Sequence, residues 1–100
     1  HFDAAQADAI AAVRSARDVG AESTPQASYH LALADEQLGQ AQTLIRRGRG
    51  LAAQRFLVRA KADAELAIAL QREAEARSTA VERHEHIEDQ QDNQHRTGGK

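Results

Sequence analysis

Residues 29–70 read YHLALADEQLGQAQTLIRRGRGLAAQRFLVRAKADAELAIAL, and this stretch decides the fold. In its first half Leu31, Ala34, Leu38, Ala41 and Ile45 recur at spacings of three and four, the repeat of one helix face, with Tyr29 and Leu44 in support. Arg46 and Arg47 close that helix, where cations meet the negative end of the helix dipole. Gly48 and Gly50 make a turn. A second stripe then starts near Leu51 and runs through Ala53, Phe56, Ala60, Ala64, Ala67 and Leu70 to Ala74.

Upstream, Pro25 suits the first turn of a helix, and Ser23 with Gln26 has capping-box spacing, with Thr24 as an alternative cap. Gly20 is a stop signal for an earlier helix from Asp3 to Val19, whose face carries Ala5, Ala9, Ala12, Val13, Ala16 and Val19. Downstream there is no proline or glycine until Gly98. The first two helices span roughly 17 and 22 residues, or about 25 and 33 Å, so a third helix continuing past Ala80 outruns both. Residues 1–81 are therefore expected to form the bundle. Residues 82–100 form a polar helical extension or a disordered tail, with Thr97 to Lys100 as an unstructured end.

The fold class that follows is all-α: an antiparallel up-down-up three-helix bundle with a long third helix and a polar C-terminal tail. One hundred residues suffice for a single core. That core must be thin, since alanine supplies most of its apolar positions and the aromatics are limited to Phe2, Tyr29 and Phe56. Folding the third helix back about the two-glycine turn sets Leu44 near Ala53, Leu38 near Ala60, Leu31 near Ala67 and Tyr29 near Leu70. The first helix then brings Phe2 level with Ile45 and Phe56, which predicts an aromatic plug at the glycine-turn end.

A formal net charge of −2 argues against a chain that is, as a whole, a nucleic-acid or membrane-surface binder, although the charge is distributed less evenly than the sum suggests. No cysteine is present, which excludes disulfides and thiolate metal sites. No apolar run is long enough to span a bilayer. The chain opens at His1, so an upstream segment carrying a targeting signal or a lipid anchor is expected.

Three groups of residues invite a chemical reading. His84 and Glu88 share a helix face and resemble part of a metal site, but His86 faces elsewhere and no third ligand is fixed, so a solvated polar helix is expected. His30 beside Tyr29, with Asp35 and Glu36 a turn or more on, resembles a general-base arrangement without a nucleophile, and a partly exposed helix histidine is expected. The third group is basic. Arg46, Arg47, Arg49, Arg55, Arg59 and Lys61 run without an acidic residue among them until Asp63. Dipole compensation and arginine stems covering apolar surface explain part of this run. The rest makes Arg46, Arg47, Arg49, Arg55 and Arg59 the candidate contact for an anionic partner, whether a lipid headgroup, an acidic envelope polymer or an acidic protein. Aromatic stacking residues are missing from the run, which disfavours nucleic acid. The opposite end of the bundle is expected to carry Asp18 and Glu22. No metal, cofactor or catalytic constellation is expected.

The 29–70 stretch also resembles a bacterial family of unknown function, alanine-rich helical domains of envelope lipoproteins often placed before a peptidoglycan-binding domain similar to outer membrane protein A. The features that match are the Pro25 start, the Tyr29–Leu38 helix, the glycine-containing turn, and Ala60 with Asp63, Ala64 and Ala67. The resemblance implies a periplasmic or outer-membrane-associated location and a non-enzymatic spacer or interaction module. The alternative is a cytoplasmic protein–protein adaptor built on a tetratricopeptide-like hairpin, for which Ala41, Leu44, Ala53, Leu57 and Ala60 have suitable spacing; no second repeat is found. Ala74, Val81 and Ile87 give a weak seam, so a monomer in solution is expected.

Overall fold

In the computed structural model the backbone is described for residues 2–98 and side-chain exposure for residues 3–93. The described residues form three helices, α1 (Phe2–Asp18), α2 (Pro25–Arg46) and α3 (Gly50–Gly98), with a short 3-10 turn at Ala21–Ser23. Among the described residues there is no strand. The third helix continues through Thr97 and Gly98, where an unstructured end was expected; residues 99 and 100 lie outside the described part.

Both stops work through backbone geometry that only glycine adopts cheaply. Gly20 has φ +81° and Gly48 φ +75°. At the second turn the Gly48 N–H donates to Ile45 O at 3.0 Å and the Arg49 N–H to Leu44 O at 2.8 Å, which closes the end of α2 in a Schellman motif. The start of α2 differs from the capping box read from the sequence. Ser23 is drawn into the 3-10 turn and its hydroxyl donates to Gly20 O at 2.7 Å. Thr24 holds the cap position without a side-chain cap bond. Its hydroxyl instead reaches Gln71 Oε1 at 2.6 Å, a tertiary bond that competes with local capping.

The core is a row of alanines with few large side chains. One cluster joins Val13 and Ala16 to Ala21, Ala27, Leu31, Ala34, Ala64 and Ala67. The other joins Ala9 to Ala41, Ala53, Leu57 and Ala60. Small side chains let the helices approach closely, so burial is achieved by proximity rather than by bulk. Three of the four expected neighbour pairs fall within shared clusters: Leu31 lies with Ala67, while Leu38 and Leu44 pack against the cluster of Ala53 and Ala60.

Two expectations about the large residues need correction. Leu57 is the fully buried large side chain of α3, while Phe56, assigned to the stripe, is only half-buried, as is Ile45. The two aromatic-plug members Ile45 and Phe56 do pack against one cluster, whereas the side chain of Phe2 lies outside the described residues. The inward line of α3 passes between positions 56 and 57, and the smaller aliphatic side chain takes the closed side. Tyr29 does not support the α2 stripe either. It is 62% exposed, and its ring meets His30 edge-on with centroids 5.2 Å apart.

Beyond Gln71, which is buried, α3 leaves its partners, and from Glu75 to Asn93 every residue is exposed. The chain measures 80 × 20 × 15 Å, and the length comes from this helix. Its 49 residues give about 74 Å at 1.5 Å per residue.

Candidate functional site

The basic run is brought together by the Schellman turn. Arg46 is the last residue of α2, Arg47 its cap, Arg49 the residue before α3, and Arg55 and Arg59 stand four apart on α3. All five are exposed. Arg46 donates to the Thr43 hydroxyl at 3.2 Å, a contact within its own helix. Among the described residues none of the five is in an ion pair, whereas Lys61 at the edge of the run stands 4.0 Å from Asp8. A shallow groove lined by Glu36, Gly39, Gln40, Thr43, Leu44 and Phe56 lies beside this turn. Exposed guanidinium groups outside any ion pair can meet carboxylate or phosphate in bidentate geometry.

The acidic first connection, expected to counterbalance this end, is partly neutralised. Arg17 stands 3.6 Å from Glu22 and donates to Asp35. The Asp35 hydrogen bond is the main reason its guanidinium pKa is raised, with partial burial acting the other way. The stronger negative counterpart is the α3 extension, where residues 73–92 carry seven carboxylates against two guanidinium groups.

The two histidine readings resolve differently. His84 Nε2 and Glu88 Oε1 are 2.9 Å apart on one exposed helix face, as a solvated i, i+4 pair should be. Among the described residues no group of three or more His, Asp or Glu side chains stands close enough to hold a metal ion. His30 bonds neither to Asp35 nor to Glu36; its Nδ1 lies 3.0 Å from Asp63 Oδ1 across the helix pair, both side chains largely covered. This pair locks α2 to α3 and was not legible from spacing, because its members are 33 residues apart. The same holds for Thr24 with Gln71, whose amide also donates to Glu75 Oε1 at 3.1 Å. No described helix is long and apolar enough to cross a membrane. No family model, curated protein or solved structure matches the chain.

Proposed function

We propose that this chain is a non-enzymatic spacer and interaction module of a bacterial envelope protein, an antiparallel up-down-up bundle whose glycine-turn end rests against an anionic surface. One observation carries the reading: five exposed arginines, none in an ion pair among the described residues, are gathered at one end of an 80 Å chain. An elongated body with a cluster of five arginines at one tip orients in the field of a charged surface and holds the rest of the chain away from it. The envelope location, periplasmic or at the outer membrane, and a lipid anchor upstream of His1 are supported by the resemblance of residues 29–70 alone. The competing adaptor reading draws on the α2–α3 hairpin itself. A precursor with a lipid-acceptor cysteine favours the first reading, and flanking helical repeats favour the second.

Binding of this kind is weak and salt-sensitive, since exposed charges are screened within about 8 Å at physiological ionic strength. The test is co-sedimentation with anionic and neutral vesicles at low salt, comparing the parent chain with an Arg46, Arg47 and Arg49 triple glutamine variant. The parent should pellet with anionic vesicles only, and the variant should lose most of that binding. Equal binding by the variant, or none by the parent, removes the anionic-surface reading.

A further inference from the structure

We infer that the anionic surface is a phospholipid bilayer, and that Leu51 inserts into it at the tip of the α2–α3 hairpin while the surrounding arginines hold headgroup phosphates. The inference rests on the anionic-surface reading and names the partner of that same site.

In the sequence Leu51 looks like the start of the α3 core stripe. In the structure it is 85% exposed, the most exposed large apolar side chain among the described residues, and the buried line of α3 begins at Ala53. One exposed leucine is ordinary on a protein surface, so its setting decides the matter. Residues 43–59 hold five arginines and no carboxylate. Val81 and Ile87, the exposed apolar residues of the α3 extension, stand instead beside Glu82, Glu85 and Glu88. An anionic surface therefore attracts the apolar group at the tip and repels those on the extension.

The geometry aims Leu51 at that surface. It lies in the first turn of α3, and helical Cα–Cβ bonds tilt toward the helix N-terminus, which here is the tip of the hairpin. Val58, 64% exposed, lies within about 20° of Leu51 on the same face and about 10 Å further from the tip. Arg55 and Arg59 stand about 6 and 12 Å behind Leu51 and lean the same way, so their stems follow the helix while the guanidinium groups reach back toward the headgroup layer. Leu51 thus enters the headgroup and acyl boundary, with Val58 at headgroup level.

A convex tip with a protruding leucine suits a soft medium. A soluble polyanion offers that side chain no apolar phase, and a folded acidic protein would need a pocket matched to it. A bilayer needs neither, because its headgroups move laterally to arginines spread over α2, the turn and α3. Insertion of most of one leucine side chain strengthens binding about tenfold, and each arginine near an anionic bilayer about fivefold.

The chain has no cysteine, so one environment-sensitive dye can be attached at Leu51→Cys or at Ile87→Cys in the full chain. With vesicles of phosphatidylglycerol and phosphatidylcholine, emission from position 51 should shift to the blue and be quenched by lipids brominated high on the acyl chain. Emission from position 87 should do neither. Without dye, Leu51→Gln keeps the size and helix preference of leucine and should bind these vesicles about tenfold more weakly with unchanged helix content. Leu51→Phe should bind at least as well as the parent. Salt screens charge and not apolar insertion, so the ratio of parent to Leu51→Gln should persist as salt rises, while the ratio of parent to Arg47→Gln shrinks. On dextran sulfate, which has no apolar phase, parent and Leu51→Gln should bind equally. If the parent binds vesicles with an unshifted dye at position 51, or with Leu51→Gln within about twofold of it, insertion is overturned and electrostatic adsorption stands. An equal loss by Leu51→Gln on dextran sulfate also overturns insertion, since the leucine would then only shape the tip. A parent that ignores the vesicles overturns the anionic-surface reading together with the insertion.

Discussion

Replacing Leu57 by alanine should cost more than replacing the larger Phe56. Leu57 is 1% exposed and shares its cluster with the buried Ala9, Ala41, Ala53 and Ala60, while Leu38, Leu44, Ile45 and Phe56 pack against that cluster from its partly buried edge. The buried alanines have no rotamers with which to fill a gap, so the hole left by the leucine closes only as far as those edge side chains or the helices move. Leucine-to-alanine changes at buried sites cost about 2.7–5.0 kcal/mol, rising with the cavity that persists. A site walled mainly by alanine collapses poorly and belongs toward the middle of that range, about 3–4 kcal/mol. Phe56 is half-buried and lines an open groove with Leu44 and Thr43, so water replaces much of its ring and the cost should be about 1–2 kcal/mol. Urea unfolding followed by helix circular dichroism measures both, and an unchanged m-value would show that the unfolded state is not the cause. For a core of this size the leucine change corresponds to a melting shift of roughly 12–25 °C. A larger loss for Phe56→Ala than for Leu57→Ala, or a loss under about 1 kcal/mol for Leu57→Ala, would refute the reasoning.

Two glycines should respond with opposite signs. Gly48 holds φ +75° at the end of α2, so Gly48→Ala should destabilise by about 1 kcal/mol despite open space around it. Gly39 lies inside α2 with nothing within 4 Å of an added Cβ, so Gly39→Ala should stabilise by about 0.5–1 kcal/mol in the same unfolding assay. Thr24→Val should cost about 1–2 kcal/mol by leaving the Gln71 side-chain oxygen without its donor, while Thr24→Ser should retain most of the stability. Equal losses for the valine and serine variants would show that the hydroxyl bond is not what matters at that position.

The helices and their turns were legible because period and punctuation agree: Pro25 opens α2, Gly48 closes it, and no breaker interrupts α3 before Gly98. Facing was less legible. Positions 56 and 57 straddle the inward line of α3, and in a helix with alanine on several sides the stripe does not say which neighbour is closed in. The bonds of His30 to Asp63 and Thr24 to Gln71 depend on the rotation of two helices about their axes, which no local spacing encodes. Of the candidate site, the five arginines were visible as a run, and the structure adds that they share one exposed end.

The account rests on a rigid α3 that carries opposite charges to opposite ends of the molecule. Single-molecule energy transfer between dyes at Leu51→Cys and Gln91→Cys, at concentrations where chains do not associate, tests this directly. Forty residues of unbroken helix predict a narrow distribution centred at about 60 Å. A broad distribution centred well below about 50 Å would mean that the helix ends near the bundle, and would contradict the separated charges on which the proposed orientation depends.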